Sequence, residues 1–191
     1  MRKGRLEAFS DGVLAIIITI MVLELRVPHG KHPGDLLPLL PILISYILSF
    51  VHIGIYWNNH HHMFQAVQKV RGGILWANLY LLFWLSLLPF ATGWMGENTF
   101  SKWPVAFYGF ILLMAAIAYF ILASSLLRLH GRDSTLSAAF GNDFKGKISI
   151  VIYIIAILLT FLNQWIGFSL YVIVAIVWIV PDPRIEKVIN S

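Results

Sequence analysis

The sequence contains no cysteine, which excludes disulfides, thiolate metal sites and cysteine nucleophiles. Charge is also scarce: Asp, Glu, Lys and Arg make up 12% of the 191 residues, against about 25% in an average soluble domain. The longest polar stretch runs only from Arg128 to Lys147, too short for a separate soluble domain. No nucleophile–base pair, phosphate-binding loop or pair of carboxylates stands out, so the sequence does not point to an enzyme. There is also no internal repeat of the kind that gives many transporters their two-fold pseudosymmetry.

What the chain has is apolar length. It is 59% hydrophobic, with a mean hydropathy of +0.79. Runs of about 18 or more apolar residues mark spanning helices, because about 20 residues cross the hydrocarbon core. Several such runs follow one another with brief polar breaks, which predicts an all-α integral membrane protein with residues 1–191 as a single domain. The first run is preceded by Arg2, Lys3 and Arg5 like a signal peptide. It ends in Glu24-Leu25-Arg26-Val27-Pro28 with no small-residue cleavage site, and reads as a retained helix. The net charge of +5 would suggest nucleic acid for a soluble protein. In a membrane chain it is the excess of Lys and Arg on cytoplasmic loops, and no nucleic-acid partner is expected.

Six helices are expected, at about 8–26, 37–63, 73–95, 104–128, 147–163 and 167–180. The Pro28–Pro41 segment is too rich in Pro and Gly to be regular helix throughout. The last two helices are short, joined by Asn163-Gln164-Trp165-Ile166-Gly167, and read either as a tight hairpin or as one kinked segment. Six spans put both termini on one side. Of the 14 lysines and arginines, Arg2, Lys3, Arg5, Lys69, Arg71, Arg128, Arg132, Lys145, Lys147, Arg184 and Lys187 fall on that side. Only Arg26, Lys31 and Lys102 fall opposite. Both termini are therefore expected in the cytoplasm, in a multi-pass protein of the cell membrane. Trp94, Trp103, Trp165 and Trp178 lie near expected helix ends, as interfacial aromatics do.

Because the helices alternate in direction, the start of the first, the end of the second and the start of the third share one level. Arg5, Ser10 and Asp11 lie there with Trp57, Asn58, Asn59, His60, His61, His62 and Asn78. Asp11 is inside an apolar run, where an ionisable group costs at least about 2.5 kcal/mol at mid-bilayer and normally finds a partner. His60, His61, the Trp57 indole and Arg5 are the candidates. The cluster reads as a structural latch on the first helix, as a proton-sensitive element, or as a metal or haem site. The last lacks a His pair at i, i+4 and a second carboxylate, so no metal or cofactor is expected. A proton- or cation-coupled secondary transporter would use Asp11 and the His60–His62 run as titrating carriers.

Ile16, Thr19, Ile20 and Leu23 follow the spacing i, i+3, i+4, i+7 of one helix face. Since the whole segment is apolar, periodicity alone leaves this face as lipid-facing, packed or pore-lining. Thr19 has a second option, a bond to a carbonyl one turn back. Beyond this face, Glu24 and Arg26 are placed either to bias cation access at an outer mouth or to pair with each other.

Arg5-Leu6-Glu7-Ala8-Phe9-Ser10-Asp11 fits R-x-x-x-F-S-D. With it the chain resembles the potassium channel family represented in animals by the lysosomal transmembrane protein 175. The likeness continues through Ala15-Ile16-Ile17-Ile18-Thr19, Trp57-x-x-His60-His61-x-x-Phe64, Leu75-Trp76-x-Asn78-Leu79 and Leu87-Leu88-Pro89-Phe90. It is strong over the first half of the chain and topological over the second. The resemblance implies a six-helix subunit, a homotetramer in prokaryotic members, and first helices lining a central pore. It implies potassium as the permeant ion with modest preference over sodium, and no re-entrant Thr-Val-Gly-Tyr-Gly filter loop. By the same resemblance Ile16 maps to the constriction, Thr19 to a hydroxyl layer and Leu23 to a second apolar layer, with Ile20 on the same face. Arg5, Phe9, Ser10, Asp11, Trp57, His60, His61 and Asn78 then belong to the supporting polar frame.

Overall fold

The computed structural model describes residues 3–67, 69–131 and 144–179. Arg2, Arg132, Arg184 and Lys187 of the charge pattern, and position 180 of the last expected helix, lie outside these residues. The described chain is helical: α1 (Lys3–Val22), α2 (Leu40–Gln65), α3 (Gly72–Ser86), α4 (Leu88–Glu97), α5 (Lys102–His130), α6 (Phe144–Thr160) and α7 (Gln164–Ile179). A 3-10 turn at Pro33–Leu39 leads into α2. Three stretches, Pro33–Gln65, Gly72–Glu97 and Lys102–His130, are long and apolar enough to cross a membrane.

The helix expected over 73–95 is divided at Leu87. Pro89 has no N–H to give, and its ring crowds the carbonyl of Leu85 one turn back, which interrupts the ladder. Leu87 instead caps α3 and begins α4. α1 starts earlier than residue 8 and stops at Val22, where consecutive tight turns at Leu23, Glu24 and Leu25 take over. α6 and α7 form a hairpin, not one kinked rod. The Asn163 side chain accepts the Trp165 N–H at 2.9 Å, an Asx turn that opens α7. Gly167 has Thr160 and the Ala156 carbonyl against it, where a Cβ would not fit.

α5 is the central helix, packed on α3, α4, α6 and α7. Its small residues Gly109, Ala115, Ala118 and Ala123 are buried, letting neighbouring backbones approach as small residues do between membrane helices. The α4–α5 turn holds Thr99 and Phe100 at φ 49 and 57, a conformation that L residues with side chains adopt reluctantly. Burial offsets it: the Phe100 ring is 2% exposed and packs on Trp165 and Phe168. α1 lies away from this centre, contacting α2, α3 and α4.

Side-chain contacts separate the two ends of the molecule. At one end Lys3 meets the last turn of α2, and the N–H of Lys69 meets His130 at the end of α5. At the other, Arg26 meets Glu97, and Lys102 donates to the Phe161 carbonyl just past α6. A Cβ on Gly109 would overlap the Tyr171 ring and hydroxyl. Gly109→Ala should therefore cost about 1–3 kcal/mol, the usual range for overpacking. Gly54→Ala, with open space around it inside α2, should leave the melting temperature in detergent unchanged or slightly raised, since alanine favours a helix interior by up to about 1 kcal/mol.

Candidate functional site

α1 has two distinct faces. Leu6, Ser10, Leu14, Ile17 and Met21 are buried, repeating every three or four residues as an inward helical stripe must. The opposite stripe is outward: Arg5, Gly12 and Thr19 are exposed, as are Phe9, Ile16 at 58%, Ile20 and Leu23 at 76%.

The rotation that separates these faces is held by a buried chain of hydrogen bonds. The Ser10 hydroxyl donates to the Leu6 carbonyl at 2.9 Å and accepts from Nδ2 of Asn78 at 2.9 Å. Oδ1 of Asn78 lies 2.8 Å from Nε2 of His60. An amide oxygen only accepts, so the histidine proton on this side must sit on Nε2. Ser10, Asn78 and His60 are all essentially inaccessible, and each link joins a donor to an acceptor. α1, α2 and α3 are thus fastened at one point.

Asp11, next along α1, takes a different partner. Its Oδ1 accepts the Trp57 indole N–H at 3.0 Å. The Trp57 ring stacks on His61 at 5.8 Å and 17°, and His61 Nε2 lies 2.8 Å from Nε2 of Gln65. Among the expected candidates for Asp11, the bond goes to Trp57 and not to His60, His61 or Arg5. The reason is helical spacing: Trp57 and His61 are one turn apart on α2, whereas His60 is turned toward α3. Among the described residues, no group of three His, Asp or Glu side chains is placed to hold a metal ion.

The seven-residue motif therefore splits. Ser10 and Asp11 bond to neighbouring helices, whereas Arg5 and Phe9 point outward on the same stripe as Ile16. Thr19 is on that stripe too, and its hydroxyl donates to the Ile16 carbonyl at 2.9 Å. At the far end Arg26 pairs with Glu97 at 3.3 Å instead of with Glu24, whose side chain lies against Gly93.

Other residues hold α1 that the sequence did not mark. Lys3 donates to the Phe64 and Gln65 carbonyls at 2.8 and 3.3 Å and lies 3.8 Å from Glu7. A cation at a helix C-terminus is well placed against the dipole, and here it ties α1 to α2. Near the other end Met21 rests on Thr92. The Thr92 hydroxyl is 2.7 Å from Ser49, which is 3.1 Å from the Tyr108 hydroxyl. The only signal for this second cluster was a hydroxyl residue in each of three apolar helices.

Residues 5–89, from the start of α1 to the proline that opens α4, match the family described as endosomal/lysosomal potassium channel TMEM175. A potassium channel of Chryseobacterium sp. (strain P1-3) is 57% identical over 187 residues, covering 98% of this chain and 97% of the relative. The chain belongs to the TMEM175 family. TMEM175 proteins are ion channels and not enzymes. A second relative, a potassium channel of Chamaesiphon minutus, is 30% identical over 185 residues, or 91% of both chains. The crystal structure of a lysosomal potassium-selective channel TMEM175 homologue from Chamaesiphon minutus superposes with a TM-score of 0.78. It is 28% identical, over 93% of this chain and 96% of that one. The fold is thus that of TMEM175 through the α6–α7 hairpin as well as the motif half.

Removing the Asn78 carboxamide would leave Ser10 and His60 without the partner they share. Asn78→Leu should destabilise the protein by about 1–3 kcal/mol for each buried group left unsatisfied, read as a lower melting temperature in detergent. Trp57→Phe, which frees only the half-exposed Asp11, should cost less.

Proposed function

We propose that this protein is a potassium-permeable cation channel whose pore is lined by α1 of four identical subunits. The observation that carries the reading is the outward stripe of α1. The exposed faces of α6 and α7 are largely apolar, with Ile154, Ile155, Leu158, Ile173 and Ile176 exposed; their exposed polar residues are Lys147 in the first turn of α6 and Ser169 on α7. The stripe on α1 instead interleaves Ile16, Ile20 and Leu23 with Arg5, Gly12 and Thr19. Charged and polar groups inside a membrane face protein or water, so this stripe suits a water-filled axis better than lipid.

In this reading each subunit spans the membrane six times, α3 and α4 together forming the third span, with no re-entrant filter loop. Both termini are cytoplasmic, in the cell membrane. Four copies of Ile16 form an apolar constriction that gates by dewetting when narrow. Thr19 oxygens one turn outward replace part of the water an ion loses there, and Leu23 forms a second apolar collar, with Ile20 flanking. Potassium is less strongly hydrated than sodium and gives up its water more readily, so selectivity is modest. Arg5, Phe9, Ser10, Asp11, Trp57, His60, His61 and Asn78 set the tilt and rotation of α1 without touching the ion. No cofactor is required.

Liposomes containing the purified protein should release potassium down its gradient, with sodium slower. Ile16→Asn should raise the flux and erode the preference for potassium; unchanged flux and selectivity would remove Ile16 from the constriction. Flux that instead follows a proton gradient stoichiometrically would favour a coupled transporter working through Asp11 and the His60–His62 run. Asp11→Ala should lower the yield of tetramer measured by native mass. A fully assembled, normally conducting variant would show that Asp11 is not part of the frame.

A further inference from the structure

A cavity of about 40 Å³ lies between α2, α5, α6 and α7. One water needs roughly 10–15 Å³ of such space, so the cavity takes about three water-sized groups. Its walls include Ile55, Ala116 and Val174, and its polar groups include His52, Tyr56 and Tyr153.

His52 is 2% exposed. Its Nδ1 lies 2.9 Å from the Leu48 carbonyl. A carbonyl can only accept, so Nδ1 carries the proton and Nε2 presents a bare lone pair. That nitrogen is sealed from solvent and has no partner among the described residues. Tyr153 is 3% exposed, and neither its hydroxyl nor that of Tyr56 bonds to a described residue. Buried polar atoms in native proteins nearly always find a partner, in protein or in ordered water. Here one orphan acceptor and two hydroxyls with no described partner belong to residues that line the same small space.

We propose that this cavity is a binding site for a small hydroxylic ligand. Its O–H donates to Nε2 of His52, and its oxygen accepts from a tyrosine hydroxyl. Water and short alkanols share this chemistry. For ethanol the alkyl end would lie along Ile55, Ala116 and Val174. A bare ion does not suit the site, because no charged side chain of the described residues lines it. An aromatic ring is too large for the space.

Solid-state NMR of the uniformly ¹³C,¹⁵N-labelled full chain in lipid bilayers reads the site directly. The His52 ring is assigned through its backbone links to Val51 and Ile53, so the assignment itself needs no variant. Nε2 should be unprotonated, with its resonance shifted as a hydrogen-bonded acceptor. Transfer of magnetisation from water protons identifies water as the ligand. Transfer from the methyl protons of added ethanol, in deuterated buffer, shows that an alkanol occupies the site. Transfer should fall several-fold in Tyr153→Phe, which removes only an oxygen. A protonated Nε2, no transfer from either source, or transfer at full strength in Tyr153→Phe would overturn the proposal.

Discussion

Asn78 stands where α1, α2 and α3 meet, and its one carboxamide serves two helices at once, giving a proton to Ser10 and taking one from His60. Inside a bilayer-embedded subunit no water is at hand to replace either bond, and an unmet polar group there is costly. Turning α1 by a single residue would swing Ser10 about 100° away from the amide and leave two buried groups unmet. The rotation of α1 is therefore fixed by this chain, and with it the identity of every residue on the outward stripe. The Trp57–Asp11 bond and the Lys3 cap act at the same end of the helix. At the far end Met21 meets Thr92 in a mainly apolar contact. α1 is thus anchored by directional bonds at one end and by packing at the other.

The charged contacts are weaker determinants than the buried ones. Arg26 and Glu97 form an ion pair at 3.3 Å with exposed side chains, a type that contributes about 0–1 kcal/mol. The buried Ser10–Asn78–His60 chain and the Ser49–Thr92–Tyr108 group link different helices without formal charge, which suits a low-dielectric interior. α5 takes the opposite role to α1, with small buried residues that draw the other helices in around it. One helix carries the packing, and another at the periphery is held in register.

Much of this was legible in the sequence, for physical reasons. Apolar runs of membrane length can only be helices in lipid, and their alternation put Ser10, His60 and Asn78 at one level before any coordinates. Which of them bonded to which was not legible, because partners depend on helix rotation that a wholly apolar segment does not encode. Asp11 had four candidate partners for that reason, and for Arg26 the sequence offered either an outer-mouth role or a pairing with its neighbour Glu24, because Glu97 is distant in sequence. The break at Leu87 was readable in principle from Pro89, but a proline inside a long apolar run can either kink a helix or be absorbed by it. Lys3 looked like one more cytoplasmic charge. Its bond to the end of α2 is visible only once the two helix ends are adjacent. The cavity at His52 had no sequence signal at all, since a histidine in an apolar helix most often has its needs met.

If four copies of α1 line a pore as proposed, the Thr19 hydroxyl has a consequence for what would pass it. Its single proton is committed to the Ile16 carbonyl, so the side chain has no hydrogen left to offer the lumen. In the proposed pore the oxygen would turn only lone pairs toward the axis. In that proposed pore an anion, which would need donors to replace its lost water, would find none at this level, while a cation would find four partial negative charges. Under that proposal valence would be discriminated without any ionised side chain at the narrow part of the pathway, by the orientation of one proton in each subunit.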